Sequence, residues 1–255
     1  VMSAFVSSAT REGPGPSIPF HPRVFRIGDL DARAESAWSS GFANLDCELP
    51  GGGGPRAGLI DIACDAWGIG ELSLVLPGLA AGLRSRDKQG LWILPPGNTH
   101  HVPWVPYAPS LASQGLALDQ LVFVRPPSAE EGLWCAEQAL RSGTVAHVLL
   151  WLEDQRLASL ALRRLQQAAM AGGANVFVFR SLASLGSPSP ASLRLALGTA
   201  AQGMLRVELV KRRGLPDGHT LLLAPRQLPC LERTPVPQGS VLPWKNAPQP
   251  RALFG

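Results

Sequence analysis

A chain of 255 residues is long enough for one large domain, or for a domain with an appendage. Its 45% hydrophobic content suffices for a core and its 16% charged content is low, yet no run approaches the ~20 apolar residues of a membrane-spanning helix. The net charge of +4 is lopsided: residues 204–255 hold eight basic against three acidic groups, so +5, while residues 1–203 stand at −1. Such a basic end suits nucleic acid, an acidic protein surface or a solvated tail.

In chain order, residues 1–40 read as a leader. Its first part, rich in proline and glycine ("REGPGPSIPFHP"), is expected to be disordered, and it lacks the basic region and apolar core of a signal peptide. A cytoplasmic location is the expectation. Gly41 to Gly58, "GFANLDCELPGGGGPRAG", is a loop-rich lead-in. From Leu59 onward, short and almost wholly apolar runs alternate with helical ones. The predicted strands are "GLIDIA" (Gly58 to Ala63), "GLWIL" (Gly90 to Leu94), "LVFV" (Leu121 to Val124), "AHVLLWL" (Ala146 to Leu152) and "NVFVF" (Asn175 to Phe179). Apolar runs of this length suit a parallel sheet buried on both faces.

Between the strands, "LSLVLPGLAAGL" (Leu72 to Leu83) reads as a helix. "SAEEGLWCAEQALRSG" has a helix's start and stop signals: serine, early acids and a closing Ser-Gly. "LASLALRRLQQAAMAGG" places Leu157, Leu160, Leu165 and Ala168 on one stripe and Arg163 and Arg164 on the polar face. This alternation implies right-handed βαβ crossovers and a doubly wound α/β sheet. "GMLRVELVKRRG" and "HTLLLA", separated by Gly214 to Gly218, predict an antiparallel hairpin at the sheet edge. The division is therefore a leader over 1–40, a core over 41–224 and a proline-rich basic tail over 225–255.

The stretch from the first strand to the first helix, Cys64-Asp65-Ala66-Trp67-Gly68-Ile69-Gly70-Glu71-Leu72, stands where a phosphate-binding loop belongs. Such a loop should read G-x-x-x-x-G-K-[ST], its lysine on the phosphates and its hydroxyl on magnesium. Here Glu71 holds the lysine's place and Leu72 the hydroxyl's, and Trp67 adds bulk. A carboxylate ~4 Å from a phosphate charge is repelled by about 4 kcal/mol at an effective dielectric near 20. As an acid in the first turn of a helix, Glu71 is instead favourable by up to about 1 kcal/mol. The four cysteines, Cys47, Cys64, Cys135 and Cys230, have no C-x-x-C spacing and read as reduced thiols. Adjacent His100 and His101 point to opposite sides of an extended segment, so no metal site is expected there.

Taken together, "LPGGGGPRAGL", "DAWGIGELSLVLPGLA", "PYAPSLASQGL", "LWCAEQALRSG", "LRRLQQAA" and "VKRRG" resemble the ImuA family of RecA-like accessory proteins of translesion DNA synthesis. The broader resemblance to RecA-like cores covers roughly residues 41–224 and extends to the cell-division inhibitor SulA, which is smaller. It implies a RecA-like doubly wound, mostly parallel sheet with helices on both faces. It also implies a magnesium-binding aspartate at the end of the fourth strand, where this chain has Trp151, with Glu153 and Asp154 just beyond as substitutes or as a helix cap. The catalytic glutamate expected after the second strand is replaced by Pro95 and Pro96.

These losses predict a dead ATPase core: no catalytic residue, no cofactor, no metal, and a degenerate loop at Cys64, Asp65, Trp67, Gly68, Gly70 and Glu71. The resemblance implies a noncatalytic adaptor whose partners are an ImuB-like, Y-family-polymerase-like protein and the error-prone DNA polymerase of the same assembly, with RecA a further candidate. The alternatives are a SulA-like inhibitor of the tubulin-like division protein, and a weak ATPase or DNA-binding RecA paralogue. Trp104, Tyr107, Trp244 and Phe254 are the candidate partner contacts, since loop aromatics are enriched at interfaces. Trp38 is a further loop tryptophan. Lys211, Arg212 and Arg213, with Lys245 and Arg251 in the tail, are candidates for weak, salt-sensitive DNA contact.

Overall fold

A computed structural model describes residues 38–84, 87–96, 106–152, 158–212 and 218–224. One eight-stranded sheet, in the order β3-β2-β4-β5-β1-β6-β7-β8, runs through them. Its strands are β1 (Gly58–Cys64), β2 (Gln89–Ile93), β3 (Leu121–Val124), β4 (Val145–Trp151), β5 (Asn175–Ser181), β6 (Leu193–Thr199), β7 (Leu205–Arg212) and β8 (His219–Leu223). The first six are mutually parallel and β7 and β8 close one edge antiparallel.

Both faces of the central strands are buried, which is why those strands carry apolar residues at almost every position. On one face, Ile60, Ile62, Trp92, Leu149, Phe177, Phe179 and Leu195 form a core with the helices α1 (Ala43–Glu48), α2 (Leu76–Gly82) and α3 (Ala108–Ser113). On the other, Leu59, Leu91, Ile93, Val148, Leu150, Val176 and Val178 meet α4 (Ala129–Ser142) and α5 (Ala158–Gly172). The one-residue parity between these sets is the period of the strand itself. α4 begins at Ser128, whose side chain accepts the Glu131 amide, and stops at Gly143, in the left-handed conformation a helix end requires.

Several expectations are corrected. β6 is absent from the strands read in the sequence, where Pro188 and Pro190 before it and Arg194 within it hide the apolar run. The helix expected over Leu72 to Leu83 is broken into a 3-10 turn, Glu71–Leu74, and α2. Pro77 explains the break, because it lacks an amide proton and is tolerated only in a helix's first turn. The lead-in contains α1. Leu160, placed on α5's apolar stripe, is exposed, whereas Leu162, Leu165, Ala168 and Ala169 are buried; Leu157 lies outside the described residues. Trp38 lies in the lead-in, outside the named strands, and turns back on its own domain: it bridges to Gly54 and packs edge-on against Phe177 at 5.4 Å. A Cβ on Gly54 or Gly78 would come within 2.3 or 2.6 Å of its ring, so both positions must be glycine.

Candidate functional site: the glycine turn after the first strand

β1 lies between β5 and β6, and the chain leaves its carboxyl end for β2 on one side while β6 flanks it on the other. In open α/β sheets, the crevice at such a divergence is where ligands bind. A buried ion cluster fixes the strands beneath it. Asp61 of β1 is fully buried, with Oδ2 3.2 Å from Arg180 Nη1 of β5 and 3.3 Å from Arg194 Nε of β6. Arg194 also donates to the carbonyls of Ser187 (2.9 Å) and Ser184 (2.6 Å), which ties the 3-10 turn Leu182–Gly186 to the same point. The loop after β1 therefore stands on three strands held in register by charge as well as by the backbone ladder.

The loop itself is filled from within. Gly68 and Gly70 adopt φ of +80° and +106°, a conformation that turns successive amides toward one centre. Into that centre projects Glu71, only 2% exposed. The Gly68 amide donates to Glu71 Oε1 and Oε2 at 3.0 and 3.1 Å, and the Gly70 amide to Oε2 at 3.2 Å. Ser73 Oγ donates to the Gly70 carbonyl at 2.5 Å, bracing the turn. The carboxylate thus takes the hydrogen-bond donors that such a loop would offer a phosphate oxygen. Glu71 is the first-turn acid the sequence suggests, and it also caps its own loop, a role not visible from its position in the sequence.

The neighbours complete the closure. Trp67, Ile69 and Leu72 are half-buried against the core of that face. Asp65, exposed, accepts the Thr199 amide at 3.3 Å and so joins the loop to the end of β6. Burial, with Glu71 and Asp65 adding to it, pushes the Cys64 thiol far above its ordinary value, so this cysteine stays a neutral core thiol. At the end of β4, Trp151 is buried and stacked on Phe179 at 4.8 Å and tilted against Trp92 at 6.2 Å. Aromatic packing occupies the strand end where a metal-binding acid is expected from the resemblance. Glu153 and Asp154 lie outside the described residues, as do His100 and His101. Among the described residues, no group of three or more His, Cys, Asp or Glu side chains could hold a metal ion.

The remaining sequence candidates separate. Tyr107, at the start of α3, is 66% exposed. Trp104, Trp244, Phe254, Lys245 and Arg251 lie outside the described residues. Of the basic run, Arg212 is corrected: it is buried, and its Nη1 donates to Glu48 Oε2 at 2.7 Å and to the Glu48 carbonyl at 2.5 Å, clasping α1 to β7. This partnership holds the Glu48 carboxyl below its usual range. Lys211 is exposed and donates to the Ser189 carbonyl at 3.0 Å; Arg213 lies outside the described residues. Sequence reading missed the Asp61–Arg180–Arg194 cluster, although an acid inside an apolar strand and arginines inside two others were its signal.

The geometry defines an α/β protein with a mostly parallel sheet and a glycine turn after β1 whose amides are taken by its own Glu71 carboxylate. No protein-family model matches the chain. In sequence it is 33% identical over 125 residues to the cell division inhibitor SulA of Edwardsiella piscicida, a match covering 49% of this chain and 65% of that protein. Over that half the two are homologous, and this chain spans somewhat less than two thirds of the relative's length. The crystal structure of SulA from Pseudomonas aeruginosa is a looser likeness, with a TM-score of 0.34 and 23% identity over 48% of this chain and 97% of that one.

Proposed function

We propose that this chain is a noncatalytic protein of the DNA-damage response that acts through protein–protein contact, on a RecA-like sheet whose nucleotide site has been closed. The observation that carries this reading is the Glu71 carboxylate bound to the amides of Gly68 and Gly70. A nucleotide would have to displace a buried charge from its donors and then lie beside it, with no lysine to offset the repulsion. With chemistry closed off at that position, function falls to surfaces.

Two forms of this reading differ in the partner. The sequence relation to a cell division inhibitor supports SulA-like action on the tubulin-like division protein, and it is the form that a relative supports directly. An adaptor in a translesion-synthesis assembly, joining a Y-family-polymerase-like protein and an error-prone polymerase, rests on the family resemblance of segments across residues 41–224. It is favoured by the length of the chain and by its basic tail. Calorimetry of the full chain against the purified division protein and against the polymerase-like protein distinguishes them. Binding to one partner with no effect of ATP is the expected result; binding to neither, or binding that requires ATP, overturns the proposal.

A further inference from the structure

α4 and α5 both serve parallel crossovers, so they run side by side in the same direction along one face of the sheet. Between them lies an open groove of about 400 Å³. Its floor is Leu133, Ala161 and Leu165, and its walls are Trp134 and Leu160, which are 62% and 70% exposed. Side chains of this size are ordinarily turned inward from an amphipathic helix. Here one from each helix stands out at the same level. Glu137 pairs with Arg164 across the groove, and Trp134 and Leu160 lie one turn before these two residues on their own helices.

Charge is distributed unevenly about this apolar centre. At one end, Glu130 and Glu131 are exposed in α4's first turn and carry −2. At the other, exposed Arg141, Arg163 and Arg164 stand against the single buried Glu137, which Arg141 and Arg164 both contact, leaving +2. Among the described residues of α4 and α5, the face therefore reads acidic, apolar, basic along its length. A surface of this kind complements itself: a two-fold axis through Trp134 and Leu160 lays the acidic end of one copy on the basic end of the other, twice. It also packs the two exposed apolar side chains of each copy against those of its partner.

We propose that the α4–α5 face is the surface through which two copies of this chain pair about a two-fold axis. Trp134 and Leu160 form the buried centre of that interface, and Glu130 and Glu131 of each copy meet Arg163 and Arg164 of the other. The rim charges set orientation and partner choice more than affinity, while the aromatic and aliphatic pair supplies the buried anchor.

The test is sedimentation equilibrium of the full chain at micromolar concentration, with two charge-reversed variants. Glu130→Arg with Glu131→Arg makes both ends basic. Arg163→Glu with Gln167→Glu makes both ends acidic and leaves Arg164 on Glu137. All four positions are exposed, and far-UV circular dichroism checks that each variant is folded. The wild-type chain is expected at the mass of two copies, each variant alone at the mass of one, and an equimolar mixture of the variants again at the mass of two. A wild-type chain at the mass of one copy overturns the proposal and leaves the face for a different protein. Variants that pair with themselves as the wild type does, or a mixture that stays at the mass of one copy, overturn it equally.

Discussion

Glu71 carries two consequences at the scale of a single residue. Its carboxylate satisfies amides that the positive-φ glycines aim at one point, so Glu71→Ala leaves those donors to water and the loop without its cap. Hydrogen bonds to a charged group contribute about 1.5–3 kcal/mol, which places the expected loss at about 1–3 kcal/mol, read as a lower midpoint in urea. Glu71→Gln, which keeps an acceptor oxygen, is expected to lose less. His147 provides the pH dependence. It is buried against Gly90, where a Cβ would come within 2.4 Å of its Nε2, and burial pushes its pKa down to about 3. The unfolded chain takes up the proton at about 6.5 and the native chain does not until about 3, so stability is complete above pH 6.5 and falls as the pH drops toward 3. Between pH 6.5 and 5 this single group costs about 2 kcal/mol, and His147→Asn is expected to remove that much of the fall in unfolding free energy, measured in urea, over the same window.

The elements are held together by more than apolar burial. Asp61 neutralises part of the charge on two buried guanidinium groups from neighbouring strands, and Arg194 passes the constraint on to the turn after β5. Asp61→Asn keeps the volume but leaves both arginines without their counter-charge, and breaking a buried pair in this way typically costs about 3–5 kcal/mol. Equilibrium denaturation is expected to show that loss, and an unchanged midpoint would mean that the cluster contributes nothing. Most elements were legible from apolar run length, because strands buried on both faces leave a continuous signature. β6 was not, since an arginine that is satisfied by a distant aspartate looks, in sequence, like an exposed one. The split at Pro77 was legible in principle, because the proline lies inside the predicted helix. Arg212 and Leu160 failed for a shared reason: their environment is set by another element, α1 in one case and the groove beside α4 in the other.

For the molecule as a whole, the strand order diverges at the carboxyl end of β1, and the loop there is occupied by the Glu71 carboxylate, bonded to its own glycine amides. The missing lysine was plain in the sequence. That the substituted carboxylate would bond its own loop was not, because this depends on the turn geometry of Gly68 and Gly70. On the proposed reading function falls to surfaces, and the sequence most apart in composition is the tail over 225–255. Deleting it is expected to leave the urea midpoint of the core within error and to weaken binding to the protein partner, measured by calorimetry at two salt concentrations, with Trp244 and Phe254 as anchors. Equal affinity of the truncated and full chains would move the contact onto the core, with exposed Tyr107 the first residue to test. The most direct measurement is titration of the wild-type chain with ATP and magnesium, followed by both heat and melting temperature. A closed loop gives no heat of binding and no shift in melting, because a ligand stabilises a protein only by binding its native state. Micromolar binding with a rise of several degrees would show that the Glu71 carboxylate leaves its amides, and that the site is open.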